Sequence, residues 1–97
     1  MSRGFRGAGT EDIFNGLSTK AARRVCPVAL WRIAARKLDY LDAATRLEDL
    51  RVPPGNRLEA LGGNRRGRHS VRINDQYRIC FIWELAGPKE VEIVDYH

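Results

Sequence analysis

Residues 57–83, RLEALGGNRRGRHSVRINDQYRICFIW, contain a basic, glycine-bearing loop followed by two alternating segments with a polar turn between them. In the second segment Tyr77, Ile79, Phe81 and Trp83 share one parity, and Arg78, Cys80 and Ile82 share the other. Successive strand side chains point to opposite faces, so one set can form core while the other stays on a working surface. In the first segment His69, Val71 and Ile73 alternate with Arg68, Ser70 and Arg72, and Asn74-Asp75-Gln76 carries turn chemistry that reverses the chain. The stretch therefore predicts a β-hairpin that presents a row of arginines. Between Arg57 and Arg78, six arginines stand against Glu59 and Asp75, a surplus of four in a chain whose formal charge is +5.

Upstream of the hairpin, Gly62 to Gly67 (GGNRRG) offers backbone that can cradle a phosphate, without the spacing or the Lys-Ser/Thr ending of a P-loop. Arg57, Arg65, Arg66 and Arg68 are the candidate RNA contacts of this region. Pro53-Pro54-Gly55 breaks a short helix carrying Leu47 and Leu50, and Thr45-Arg46-Leu47-Glu48 has the spacing of a capping box. Pro27 suits the first turn of a longer helix reaching Ala44, in which Leu30, Trp31, Ala34, Leu38 and Leu41 keep helical spacing. Arg32, Arg36, Lys37 and Asp39 fall on its wet side. Thr10 with Glu11 and Asp12 signals an earlier helix start, and Gly16 its end. Leu17 to Arg24 then reads as a loop, and Ser2 to Phe5 as a short edge strand. Downstream, Gly87-Pro88 marks a turn, and Glu90 to Tyr96 is the last strand.

Ninety-seven residues make one domain, 1–97, too small for a core plus a separate catalytic module, so any site must share the sheet. Cations are mainly arginine, 14 against 3 lysines, and the guanidinium fork matches phosphate oxygens in pairs. A polyanionic partner is expected. No apolar run is long enough for a membrane span or a signal peptide, which points to the cytoplasm and away from membranes. Cys26 and Cys80 are too few for a disulfide framework. With His69 and His97 they lack the close ligand pairs of a zinc signature, so neither a metal nor a cofactor is expected.

The chain ends on Asp95-Tyr96-His97, a carboxylate, a phenol and an imidazole in succession. RNA cleavage needs a base near the ribose 2′-OH, a cation for the phosphate as negative charge builds, and an acid for the departing 5′-oxygen. Asp95 or Glu59 can serve as base, Arg78 as phosphate clamp and His97 as acid, with Tyr96 orienting a nucleobase or donating its O–H. These residues alone leave the roles of Glu59, Asp95 and His97 open.

From Pro53 the text PPGNRLEALGGNRRGRHSVRINDQYRICFIW, the closing VEIVDYH and the earlier LDYLDAAT closely resemble the HigB branch of the RelE-like toxins, including its GraT-type members. The resemblance implies an α+β fold, a sheet of about four antiparallel strands with two N-terminal helices packed on one face. It implies a toxin that cuts messenger RNA in the decoding site of the small ribosomal subunit, by metal-free 2′-OH attack. It also implies neutralisation by a helix-turn-helix, HigA-like antitoxin, with DNA contacted only through that antitoxin. The family's functional positions fall on Arg78, Asp95, Tyr96 and His97. In two places the chain departs from the family: Glu59 stands where some members have a catalytic histidine, and Gly62 where many have lysine. An alternative follows, an RNA- or ribosome-binding module with weak or absent catalysis. A DNA-binding regulator would need a recognition element, and none is visible.

Overall fold

Four strands, β1 (Glu59–Ala60), β2 (Arg68–Arg72), β3 (Tyr77–Glu84) and β4 (Gly87–Asp95), make one antiparallel sheet in that order in a computed structural model describing residues 4–95, apart from the Arg65 side chain. The register places Val71, Ile79 and Ile93 side by side. With Phe81 and Val91 they form the sheet's contribution to the core. The predicted β2–β3 turn is present, and Asn74 Oδ1 accepts from the backbone N–H groups of Gln76 (2.9 Å) and Tyr77 (2.7 Å).

The next reversal lies two residues earlier than the sequence suggests. The turn is Leu85–Ala86, and Gly87 already pairs with Glu84 as the first residue of β4. Gly87 supplies the positive φ of +113° there, so its turn signal belongs to the strand junction. On the outer edge of β4 the chain start pairs in parallel: Val91 N–H donates to Gly4 O at 2.7 Å and Arg6 N–H to Val91 O at 2.9 Å. The expected edge pairing is thus present at Gly4 and Phe5, whereas Ser2 and Arg3 lie outside the described residues.

Three α-helices, not two, pack on the Ile79 face: α1 (Ala8–Phe14), α2 (Lys20–Val25) and α3 (Trp31–Ala43). Helix α1 begins two residues before the Thr10 signal. Thr10 is buried inside it, and its Oγ1 accepts the Ile93 N–H at 3.0 Å, so the hydroxyl serves the sheet rather than a helix end. Gly16, at φ +76°, follows the helix end as expected. Helix α2 replaces the loop read at Leu17–Arg24. Its cap is Thr19, whose Oγ1 accepts from Ala22 N–H at 3.0 Å and donates to Asp12 at 2.7 Å. Only Ala22 of α2 is buried, so no apolar period announces the helix. Contact with α1 holds it: a Cβ added at Gly9 would lie 2.5 Å from Ala21 O.

Helix α3 buries Ala34, Leu38 and Leu41 as its spacing predicts, and Trp31 Nε1 donates to Cys26 O at 3.1 Å. The capping function at Thr45 falls one residue later than read. Asp49, not Glu48, accepts from Thr45 N–H (3.0 Å) and Arg46 N–H (3.1 Å), which hold its carboxyl below the usual range.

Lys37 is a clearer departure. Assigned to the wet side of α3, it is 8% exposed, and its Nζ donates to Asn56 Oδ1. Asn56, itself buried, donates to Leu50 O (3.1 Å) and Val52 O (3.3 Å), so the pair ties α3 to the segment entering β1. Burial, with Arg36 and Arg72 adding to it, lowers the Lys37 pKa from its ordinary 10.5. The unfolded chain then holds that proton more tightly, so Lys37 costs stability at neutral pH, and the cost is relieved as pH rises from the lowered pKa toward 10.5. Urea unfolding at neutral and alkaline pH should therefore show the wild type gaining stability relative to Lys37→Met as pH rises. A pH-independent difference between the two would mean that the ammonium is not desolvated.

Candidate active site

The helices cover one face of the sheet and leave the other to charged side chains. Across that open face the register sets Glu59, Ser70, Cys80 and Glu92 in a row, one from each strand. Ser70 and Cys80 are nonetheless fully buried. The long side chains of Arg68 and Arg78, each 16% exposed, lie over this row with their aliphatic stems against it.

Arg78 is the centre of the arrangement. Its Nη1 donates to Ser70 Oγ at 3.0 Å and pairs with Glu59 Oε1 at 3.1 Å. Strand β1, only two residues long, exists in effect to deliver Glu59 to this point, through its pairing with Ser70. A guanidinium held by a hydroxyl and a carboxylate is oriented before any ligand arrives, and its planar fork matches phosphate oxygens in geometry. Glu59, half exposed, is placed to take a proton beside that cation.

The row of arginines is less cationic than the sequence suggests, because carboxylates from other segments neutralise it. Arg72 and Arg78 stand directly opposite each other, which on a sheet costs stability unless both are compensated. Asp75 pairs with Arg72, and Glu59 with Arg78. Farther along, Arg68 pairs with Glu90 at 3.0 Å and Arg6 with Glu92 at 3.4 Å. Of the described arginine side chains between Arg57 and Arg78, Arg57 and Arg66 are exposed and have no ion pair among the described residues, so in this stretch they are the cations most available to a polyanion.

Not every candidate residue joins Arg78. Asp95 is the direct partner of Tyr77 and so stands on the helix-side parity, with Gln76 Nε2 donating to its carboxylate at 3.1 Å. Tyr96 and His97 lie outside the described residues. Ser70, which bonds Arg78, is the residue that sequence reasoning missed. Its parity with Arg68 and Arg72 placed it on the right face, but only the strand register brings it to Arg78.

His69 belongs to the other side, stacked on Phe81 with ring centroids 6.1 Å apart. No group of three His, Cys, Asp or Glu side chains is gathered for a metal among the described residues. Burial pushes the Cys26 thiol up to about 11, which makes it a poor nucleophile.

Comparison with known proteins agrees with this architecture. The family model described as the RelE-like toxin of type II toxin–antitoxin system HigB matches residues 5–97. The chain is 50% identical over 60 residues to Toxin HigB-1 of Vibrio cholerae, an alignment covering 62% of this chain and 63% of that protein. It is also 41% identical over 58 residues to an uncharacterized protein of Haemophilus influenzae, covering 60% and 57% of the two chains. In both cases the aligned part spans less than two thirds of the relative's length. Because the family match covers residues 5–97 and with them the whole sheet, this chain belongs to the HigB-like, RelE-like toxins of type II toxin–antitoxin systems.

Proposed function

We propose that the protein is a ribosome-dependent endoribonuclease that cuts messenger RNA during translation and is held inactive by a HigA-like, helix-turn-helix antitoxin. The observation that carries this reading is the Glu59–Arg78–Ser70 cluster, a carboxylate 3.1 Å from an oriented guanidinium on the open face of the sheet. A phosphate bound at Arg78 brings the adjoining ribose within reach of Glu59. The carboxylate removes the 2′-OH proton, the 2′-oxygen attacks phosphorus, and the bond to the 5′-oxygen breaks. Arg78 stabilises the charge that builds on the phosphoryl oxygens. An acid returns a proton to the leaving oxygen, and the products are a 2′,3′-cyclic phosphate and a 5′-hydroxyl. The chemistry of an imidazole and a phenol suits His97 to supplying that proton and Tyr96 to orienting a nucleobase or donating its O–H, and the family resemblance counts both among its functional positions. Of the two carboxylates proposed as base, Glu59 has the stronger support, since Asp95 has the opposite strand parity from Arg78. The work is cytoplasmic, where ribosomes are.

Primer extension on messages from a purified translation reaction tests this reading: discrete new 5′-hydroxyl ends that require both ribosomes and the toxin are expected. Absence of such ends, with ribosome binding retained, would favour the binding-module reading. That alternative draws on Gly62, which leaves the loop without the family's lysine, and on the carboxylates that already occupy the arginines.

Salt dependence offers a second check. Reversing both Arg57 and Arg66 to Glu should weaken ribosome association and flatten its salt dependence. Each phosphate contact with a single strand contributes about 0.7 to the log–log slope, so losing two contacts should lower it by roughly 1.4. An unchanged slope would place the electrostatic contact elsewhere.

A further inference from the structure

Beside the Arg78 cluster, the open face holds a polar cleft of about 480 Å³ lined by Arg6, Asn64, Arg68 and Glu92. It lies at the other end of the same row: Arg68 is two residues before Ser70 on β2, and Glu92 is the partner of Cys80. The Arg68 and Arg78 backbones are therefore about 13 Å apart along the sheet, since Arg78 pairs with Arg72 and strands rise about 3.3 Å per residue. An RNA strand whose phosphate is held at Arg78 can bring the base of a nearby nucleotide over that distance.

The charge of the cleft decides which part of the nucleotide it suits. Arg6 and Arg68 are balanced by Glu90 and Glu92, with Arg68–Glu90 at 3.0 Å, Arg6–Glu92 at 3.4 Å and Arg6–Glu90 at 3.9 Å. A phosphate would meet two carboxylates and gain little, whereas a neutral group carrying both donors and acceptors can engage every wall. Two of those walls are incompletely satisfied. Among the described residues Arg68 Nη1 is buried with no hydrogen-bond partner, and the Glu92 carboxylate meets Arg6 at a long 3.4 Å.

We propose that this cleft is a guanine subsite for the RNA strand whose phosphate sits at Arg78. The proposal rests on the endoribonuclease reading and extends it to base selection. Guanine presents two adjacent donors, N1–H and the N2 amino group, which a carboxylate such as Glu92 accepts as a pair. Its O6 and N7 acceptors match a guanidinium fork, and a turn of the Arg68 side chain into the cleft gives Nη1 the acceptor it lacks. Asn64, on the exposed loop, complements the remaining edge as donor or acceptor. Adenine, cytosine and uracil lack the paired donors beside an acceptor, so each leaves the Glu92 carboxylate without its second partner.

The test uses the free protein, without ribosomes, and follows the Asn64 side-chain amide and Arg68 guanidinium signals by NMR during titration with guanosine, adenosine, cytidine and uridine 5′-monophosphates and with inorganic phosphate. Guanosine monophosphate should bind roughly tenfold or more tightly than the others, as expected for one bidentate base contact. Glu92→Gln, nearly isosteric and confirmed folded by its melting curve, should erase that preference, and Asn64→Ala should reduce it. Equal binding of the four nucleotides, an equal response to phosphate, or a preference that survives Glu92→Gln overturns the subsite. Mapping of cuts on ribosomes then separates the two readings: cuts without guanine enrichment beside them, in the wild type, sink the subsite and leave the endoribonuclease standing. No cuts at all sink the endoribonuclease, while the titration still decides what the cleft binds.

Discussion

Replacing Arg78 with alanine is expected to abolish message cleavage while leaving the protein folded. The side chain stands beside a carboxylate and a hydroxyl on the open face, so under the proposed endoribonuclease mechanism its loss removes charge stabilisation that exists only once the phosphate is attacked. Removing a preorganised donor to a developing oxyanion typically costs about 10² to 10³ in rate, and a full positive charge should cost at least that. Folding should survive because Arg78 lies over the sheet rather than in the core. The cost there is exposure of Ser70 and Cys80 and of a Glu59 left without its partner. Arg78→Lys is the informative companion: it keeps the charge but not the fork, and should recover only part of the rate. Glu59→Gln removes the carboxylate proposed as base while preserving shape, and a loss of about 10² to 10⁴ is expected. Single-turnover cleavage on ribosomes measures all three. Near wild-type rates for Glu59→Gln would return the base to Asp95 or His97.

Phe81→Ala should have the largest effect on stability, about 3–5 kcal/mol. Its ring is fully buried, it is the largest of the completely buried side chains among the described residues, and it stacks with His69 at the point where the β3–β4 register shifts between Cys80 and Ile82. Removing it opens a cavity between sheet and helices that local repacking cannot close, because Val71, Ile79 and Val91 are themselves fixed by the ladder. A domain of this size has about 5–15 kcal/mol in total, so the variant should melt tens of degrees lower or fail to fold. A loss under about 1 kcal/mol by urea unfolding would show that the core is not organised around this ring.

Much of this architecture is legible in the order of residues. The alternation through Val71, Ile79, Phe81 and Ile93 specifies a hairpin and a final strand with one buried face, because a shift of one residue would turn every apolar side chain to water. The Asn74 turn, the 3.6-residue spacing of Ala34, Leu38 and Leu41, and the end of the first helix at Gly16 are local signals with local causes, and all recur in the fold. The family resemblance is legible too, because it is carried by contiguous text, and the family match over residues 5–97 bears it out.

What the sequence leaves undetermined depends on contacts between distant segments. Helix α2 has one buried residue and no apolar stripe; its stability comes from Thr19 capping and from α1 pressed against it at Gly9. Thr10 and Lys37 depart from the sequence expectation for one reason: a hydroxyl or an ammonium looks like a surface group until β4 and Asn56 supply the partners that let it be buried. In the candidate site, alternation along the hairpin puts Arg78 on the open face, but its orientation comes from a serine eight residues away and a glutamate nineteen away, joined only by strand register. Likewise the row of arginines became a set of ion pairs because Glu59, Asp75, Glu90 and Glu92 converge on it from a short strand, a turn and β4. Charge can be counted along a chain, but its compensation is a matter of distance in three dimensions, and tertiary pairing alone sets those distances.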